Sequence, residues 1–204
     1  MNRHAGKPTE RAGPVGAMPA EHAILGLLAS TPEESSHGYE LARRFGPDAP
    51  LGNVIRLEPG MVYHHLKKIE RLGWVAGEDE TAEGRPARRV YALTVAGGEE
   101  LRRWLAEPVT HTREIRIEFL LKLYFALLLD PPQANRLIAE QREQCARLLE
   151  ALAPRAIDNG DADSRETRER RFASFVRDMR FAQTQAALEW LDRVARDAFP
   201  ADSG

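Results

Sequence analysis

Apolar residues in the first part of the chain recur with the three- and four-residue spacing of amphipathic helices. The spacing predicts helices over residues 20–30, 36–46 and 59–72, with an irregular connection over residues 51–58 between the last two. The third helix is the clearest, because its apolar residues fall on one side and Gly73 follows as a stop signal. Those apolar residues are Val62, Leu66, Ile69 and Leu72.

After the third helix the pattern changes to two short segments typical of β-strands. They cover residues 74–80 and 89–93, and the segment between them is turn-rich and basic. A fourth helix is predicted to begin after Thr94, whose hydroxyl suits an N-cap, and to end near residues 107–108. Three helices, a basic hairpin and a fourth helix follow the order of a winged helix-turn-helix.

The remainder of the chain is predicted to be entirely helical. A strongly apolar helix covers residues 113–129, and Asp130, followed by two prolines, caps the next helix. That helix runs to about Leu152, and a polar loop over residues 154–163 separates it from a long final helix. The final helix is predicted to end near Phe199.

The predicted fold class is therefore mainly α, in three parts. Residues 19–108 are expected to form a winged helix-turn-helix domain, with three helices and a two-stranded wing. Residues 109–200 are expected to form an all-helical C-terminal domain. Residues 1–18 contain Gly, Pro and charged residues without periodicity, and they are predicted to be a flexible tail.

Composition excludes several other classes of protein. The most apolar run, residues 119–129, contains Lys122 and is far shorter than the roughly 20 residues of a membrane-spanning helix. The N-terminus lacks the apolar core of a signal peptide. The single cysteine, Cys145, permits neither a disulfide within the chain nor a cysteine-based metal cluster. We therefore expect a cytoplasmic protein that uses no metal, cofactor or membrane.

The overall charge does not favour nucleic-acid binding. The net charge is −2 and the sequence pI is about 6.3, whereas many nucleic-acid-binding domains are basic. DNA, however, responds to local charge within a Debye length of about 8–10 Å. The relevant question is therefore whether small basic patches lie on the predicted winged helix-turn-helix.

Two such patches are predicted. The third helix turns polar and basic residues outward, as a helix in the major groove requires, and arginines of the hairpin can reach the DNA backbone or the minor groove. Each patch alone is more often an ordinary solvated surface, but their combination in this order favours DNA binding. The outward helix residues are predicted to be Met61, Tyr63, His64, His65, Lys67, Lys68 and Arg71, and the hairpin adds Arg85, Arg88 and Arg89.

Several segments resemble the PadR family of transcriptional regulators. AILGLLA at residues 23–29 looks like the opening helix of that family, and GYEL at residues 38–41 resembles the start of its second helix. PGMVYHHL at residues 59–66 resembles the recognition helix, with its Gly-x-x-Tyr-x-x-Leu pattern. Residues 84–97 resemble the wing, and residues 118–123 resemble the larger subgroup with a separate helical C-terminal domain.

The resemblance implies a sequence-specific regulator that binds double-stranded DNA as a homodimer, with one recognition helix in each half of a pseudo-palindromic operator. It also implies repression by occupation of a promoter. The residues expected to contact DNA are Ser36 (the predicted N-cap of the second helix), Tyr39, Pro59, Gly60, Met61, Tyr63, His64, Lys67, Lys68, Arg85, Arg88 and Arg89.

By the same resemblance the C-terminal helices are expected to form the dimer. The last helix has an apolar stripe, and burying a large side chain contributes about 1.5–3 kcal/mol, so the stripe is too large to leave in water. The alternative is that this helix packs only within its own chain. The stripe consists of Phe172, Phe175, Val176, Met179, Trp190 and Val194.

The resemblance further implies that a small-molecule effector releases the DNA. Aromatic residues near the expected dimer interface, Trp104, Tyr124 and Phe125 together with Trp190, are candidates for lining its pocket. The alternative is that these residues simply belong to the hydrophobic core.

Two other functions compete with DNA binding. An enzyme is disfavoured, because the sequence has no nucleophile elbow, phosphate loop, zinc-protease motif or dinucleotide fingerprint. The adjacent pair His64 and His65 also points in two directions on a helix, which does not suit a shared metal. A winged helix that binds another protein instead of DNA remains the main alternative, since a fold alone does not fix a function.

Overall fold

The computed structural model describes residues 18–30, 37–80, 88–153 and 165–198. Its N-terminal elements are α1 (Pro19–Ser30), α2 (Gly38–Arg43), a 3₁₀ turn (Pro50–Asn53), α3 (Pro59–Arg71), β1 (Val75–Glu80), β2 (Arg88–Leu93) and α4 (Val95–Ala106). These are followed by α5 (Thr112–Glu114), a π-helical turn (Ile115–Phe119), α6 (Leu120–Leu129), α7 (Pro131–Leu152) and α8 (Arg165–Ala198). The predicted mainly helical fold with a two-stranded wing is confirmed.

Helix α3 ends as its sequence predicts. Gly73 has a φ of 74°, which falls in the left-handed region that a glycine adopts without a steric penalty. The amide of Gly73 donates to the carbonyl of Glu70, and the amide of Trp74 donates to the carbonyl of Ile69. This pair of bonds is a Schellman motif, which satisfies two carbonyls at the helix end. The chain then turns directly into β1.

Strands β1 and β2 form an antiparallel hairpin, with Val75 opposite Leu93 and Glu80 opposite Arg88. Thr94 then caps α4, because its hydroxyl oxygen accepts a hydrogen bond from the amide of Gly97 at 3.1 Å. The predicted N-cap role of Thr94 is therefore confirmed. The tip of the hairpin, including Arg85, lies outside the described residues.

Three predicted elements differ in detail. The second helix begins at Gly38 with His37 as its N-cap and ends at Arg43, whereas the prediction extended it to residue 46; the predicted N-cap Ser36 lies outside the described residues. The connection over residues 51–58 begins in the 3₁₀ turn. The apolar helix predicted over residues 113–129 is interrupted by the π-helical turn.

The hydrophobic core is continuous across the predicted domain boundary at residues 108–109. Helix α6 packs against α1, where the ring of Phe125 lies so close to Gly26 that a Cβ atom on Gly26 would come within 2.5 Å of it. Gly26 therefore serves as the surface on which a buried phenyl ring rests. Within the described residues, no helix has the length and apolar character needed to cross a bilayer.

Candidate nucleic-acid interface

Helix α3 docks on the core through one side and leaves the other in solvent. Val62, Leu66 and Ile69 are completely buried. Met61 and Tyr63 are nearly half exposed although they are large apolar or aromatic residues, so the core does not account for them. The structure places six of the predicted contact residues of α3 in solvent: Pro59, Gly60, Met61, Tyr63, His64 and Lys67. Arg71, which was predicted to face outward, is exposed as well.

Two residues predicted to face outward turn toward the core instead. The ring of His65 is buried, and its Nδ1 lies 3.1 Å from Oε1 of Glu21 on α1. The ammonium of Lys68 lies 2.7 Å from the same carboxylate oxygen. A buried carboxylate is costly unless it is paired, so Glu21 draws both side chains inward. The predicted outward direction was wrong for His65, and the ammonium of Lys68 lies against Glu21 rather than pointing away from the protein.

Glu21 is thus the residue that fixes how α3 rests on α1. Burial by itself raises the pKa of Glu21, but the hydrogen bonds from Lys68, from the Met18 amide and from His65 outweigh it and lower the pKa below 4.5. The carboxylate is therefore ionised at neutral pH. No sequence pattern pointed to it, because its side-chain partners His65 and Lys68 lie more than forty residues further along the chain.

The N-terminal end of α2 lies beside α3. Gly38 faces the ring of Tyr63, and a Cβ atom at position 38 would come within 2.5 Å of Tyr63 Cε1. A larger residue at position 38 would therefore displace the Tyr63 ring. Tyr39, the next residue, is 64% exposed. Together with His37 and Arg88, these residues line an open cleft of about 370 Å³ between α2, α3 and β2.

The wing is less basic than its arginines suggest. Arg89 donates to the carboxylate of Glu70 on α3 at 2.6 Å and to that of Asp79 on β1 at 3.0 Å. Strand β1 also carries exposed Glu78 and Glu80. Arg89 therefore fastens the wing to α3. Arg88 is exposed and lines the cleft beside α2 and α3.

The predicted apolar stripe of α8 divides into two parts. Phe172, Phe175 and Met179 are 68%, 66% and 62% exposed. Trp190 and Val194, in contrast, pack against the core of their own chain, with the Trp190 ring centroid 6.1 Å from that of Phe119. The alternative of packing within the chain therefore holds for the C-terminal part of the stripe. The N-terminal part of the stripe is exposed to solvent, except that Val176 is half-buried.

The aromatic residues predicted to line an effector pocket belong mostly to the core. Phe125 is completely buried and Trp104 is 4% exposed, while Tyr124 is half-buried. The Trp104 Nε1–H donates to Glu118 at 3.0 Å, and its ring stacks on His22 with centroids 4.7 Å apart. Phe125 and Trp104 therefore belong to the core, as the alternative interpretation expected, and a role in an effector pocket stays a prediction.

His22 is held in a buried polar contact between α1 and α4. Its Nε2 lies 2.8 Å from Oε1 of Glu100, so the neutral ring donates its Nε2–H to that carboxylate. Its Nδ1 is buried without a hydrogen-bond partner among the described residues. Burial lowers the pKa of His22 below 6.5 despite the opposing effect of Glu100. The folded protein therefore keeps this imidazole neutral at pH values where an unfolded chain would protonate it.

This predicts a pH-dependent stability. Because the pKa of His22 is lower in the folded than in the unfolded state, its stabilisation is present above about pH 6.5 and is lost as the pH falls below it. We expect chemical denaturation to show that His22→Gln makes the decline in unfolding free energy between about pH 7 and pH 5 shallower, by at most about 1.4 kcal/mol per pH unit. His64→Gln, at an exposed histidine, should leave that decline unchanged. An equal decline in the wild type and His22→Gln would show that the folded ring binds its proton normally.

Sequence comparisons find similarity to transcriptional regulators. Residues 24–103 match the model of the transcriptional regulator PadR-like family, and residues 115–197 match the virulence activator alpha C-terminal model. A probable transcriptional regulator of Mycobacterium tuberculosis is 41% identical over 96 residues, which cover 47% of this chain and 48% of that protein. The negative transcriptional regulator PadR of Bacillus subtilis is 29% identical over 126 residues, covering 61% and 65%.

Among solved structures, B. subtilis PadR in complex with operator DNA is 23% identical, covers 86% of this chain and 96% of its own, and has a TM-score of 0.40. This is a remote likeness, so the similarity to PadR-like regulators rests on the sequence matches. The aligned part of this chain spans about half of one curated relative and about two thirds of the other. The matched family consists of transcriptional regulators and not of enzymes.

Proposed function

We propose that the chain, whose residues 24–103 match the model of the PadR-like family of transcriptional regulators, binds operator DNA as a homodimer and represses transcription. Helix α3 enters the major groove in this proposal, and Arg88 on the wing meets the backbone or the minor groove. The observation that carries the proposal is the solvent-exposed side of α3. It presents Tyr63, His64 and Lys67 on a helix whose opposite side is anchored in the core.

The residues proposed to contact DNA are fewer than the sequence alone predicted. The exposed hydroxyl of Tyr39 and the Tyr63 hydroxyl flank one cleft, and both can donate to phosphate oxygens. Lys67 supplies a positive charge, and no ion pair engages it among the described residues. Lys68 and Arg89 act instead as internal supports, since Glu21, Glu70 and Asp79 hold their charges.

We further propose that a second copy covers the exposed part of the α8 stripe. Three large apolar side chains at Phe172, Phe175 and Met179 lie three and four residues apart, which places them along one side of the helix. Two copies joined there would present two recognition helices, as a pseudo-palindromic operator requires. Repression is proposed because the B. subtilis relative is named a negative regulator. Cytoplasmic action stays a prediction from the composition, and release by a small molecule stays a prediction from the family resemblance.

Contacts with DNA phosphates can be detected from the dependence of the binding constant on salt concentration. Each Lys or Arg that neutralises a phosphate releases counterions, so the slope of log K against log salt concentration changes by roughly one unit per contact. We expect Lys67→Ala and Arg88→Ala each to weaken binding and to flatten this slope by about one unit. Arg193→Ala, at an exposed arginine of α8, serves as a charge-matched control and should leave the slope unchanged. An unaltered slope in Lys67→Ala would remove that residue from the interface.

The proposal as a whole is tested by titrating the protein into fragments of the DNA upstream of its own gene and into a scrambled fragment, at two salt concentrations. A preference for the upstream fragment of about a hundredfold or more would support a specific regulator. Equal, weak binding would call for selection from random DNA. If that selection enriched no motif, the winged helix would have to bind a protein instead.

A further inference from the structure

The connection between α4 and α5 joins two parts of the chain. We call α1–α4 with the wing the DNA-binding part and α5–α8 the helical part. Side chains from the helical part hold the connection in place. Gln141 of α7 is 1% exposed and bonds both polar groups of one backbone residue, Val109. The Val109 amide donates to Gln141 Oε1 at 2.8 Å, and Gln141 Nε2 donates to the Val109 carbonyl at 3.1 Å. A carboxamide is suited to this task because it carries a donor and an acceptor side by side.

Other side chains hold the neighbouring positions. Lys122 of α6 donates to the carbonyl of Glu107 at 2.7 Å. Gln133, two turns before Gln141 on α7, lies with its Nε2 3.3 Å from the carbonyl of Leu105. At the far end the hydroxyl of Thr112 is 2.7 Å from that of Thr184 on α8. We call this set of four attachments, made by Gln133, Gln141, Lys122 and the Thr112–Thr184 pair, the linker clamp.

The clamp does more than satisfy the end of a helix. The last carbonyls of α4 need partners wherever they are buried, which accounts for the bonds to Leu105 and Glu107. Val109, however, lies beyond the helix, and both of its polar groups are fixed by a buried side chain of another element. Thr112 is fixed to α8, the helix proposed to join the two copies. The connection is therefore attached to the helical part at several successive points between residues 105 and 112, and one of these, Thr112, is bonded to α8 itself.

We infer that Gln141 is a positioning residue that restricts this protein to operators with one spacing between their half-sites. This rests on the proposed function, since spacing has meaning only for a dimer on DNA. Adding two base pairs between half-sites moves one of them by roughly 7 Å and rotates it by roughly 70° about the duplex. The clamped linker, together with the packing of α1 and α4 on α6 and α7, opposes such a rotation, and loosening the linker removes part of that resistance.

The test is a selection from a library of random DNA duplexes, carried out in parallel with three proteins. The wild type is compared with Gln141→Met, which keeps the side-chain length and removes both hydrogen bonds to Val109. Arg142→Met makes the same replacement at the next residue of α7, whose side chain is exposed and pairs with Asp192 rather than with the linker. Thermal unfolding of each protein establishes beforehand that it is folded.

We expect all three proteins to enrich the same half-site motif, because α3 is unaltered. The wild type and Arg142→Met should enrich one spacing, and Gln141→Met should enrich several. In titrations, two inserted base pairs should weaken binding of the wild type on the order of a hundredfold, because one half-site is lost, and that of Gln141→Met by about tenfold or less.

Several results would overturn the inference. One is a single spacing enriched by Gln141→Met, and another is a broad range of spacings enriched by the wild type. A changed half-site motif in Gln141→Met would show that the residue acts on α3 instead. If Gln141→Met does not fold, Thr112→Val is used instead, because it removes the hydrogen bond to Thr184 with little change in side-chain volume. The spacings that Thr112→Val enriches then test the inference in the same way. A failure of the wild type to enrich any motif would overturn the proposed function, and the inference with it.

Discussion

Replacing Phe125 by alanine is expected to lower the free energy of unfolding by about 3–5 kcal/mol. The ring is completely buried between α6 and α1. It rests on Gly26, which has no side chain that could move into the space left behind. Removal of the ring therefore costs both the transfer of its apolar surface and the cavity that remains. Because the ring lies where the DNA-binding part meets the helical part, the loss should weaken both together.

The measurement is chemical denaturation followed by circular dichroism and by tryptophan fluorescence. Leu128→Ala, on the same helix but 55% exposed, should change the free energy of unfolding by about 0.5 kcal/mol or less and serves as the control. Coincident transitions by the two probes would show that the two parts still unfold as one unit. A loss below about 1 kcal/mol in Phe125→Ala would mean that neighbouring side chains close the cavity.

Phe175→Glu is expected to separate the proposed dimer into single chains. The wild-type protein should sediment at twice the chain mass of 22.9 kDa, and the variant at the mass of one chain. The substitution removes a large apolar side chain from the exposed stripe and introduces a carboxylate that the interface would have to desolvate. Each dimer contains the change twice. A penalty of a few kcal/mol weakens self-association by about a hundredfold or more.

The effect of Phe175→Glu on DNA binding should depend on whether the duplex carries two half-sites or one. A palindromic duplex should lose on the order of a hundredfold in affinity, because the second half-site no longer benefits from linkage. A duplex with a single half-site should bind the variant and the wild type equally. Val95→Glu places the same charge on another exposed apolar residue, 80% exposed at the start of α4, and should leave both measurements unchanged. An intact dimer of Phe175→Glu would place the interface elsewhere.

Much of the fold was predictable because its signals act over a few residues. The spacing of Val62, Leu66 and Ile69 identified the buried side of α3, and Gly73 identified its end. Asp130 caps α7 through the amide of Gln133 at 3.1 Å, three residues away, as its sequence predicts. Caps, stop signals and helical periodicity are all local, so a single sequence contains them in full.

The candidate site was predictable only in part. The exposure of Tyr63, His64 and Lys67 follows from the period of α3, and their contacts with DNA stay predictions. The π-helical turn within the apolar run and the division of the α8 stripe had no signal in the sequence. Trp190 belongs to the same stripe as Phe172, and only the packing of α8 on α7 and α5 separates a buried part from an exposed one.

The amino-acid sequence by itself determined most of the helices and strands, the end of α3 and the caps of α4 and α7, because these depend on neighbours within about one helical turn. The tertiary structure decided which polar groups are available to a partner. Glu21 withdraws His65 and Lys68, and Glu70 with Asp79 occupies Arg89. Gln141 meets Val109 across 32 positions. A charged or polar side chain takes the partner that folding brings within about 3 Å, and that partner is set by the packing of elements distant in sequence.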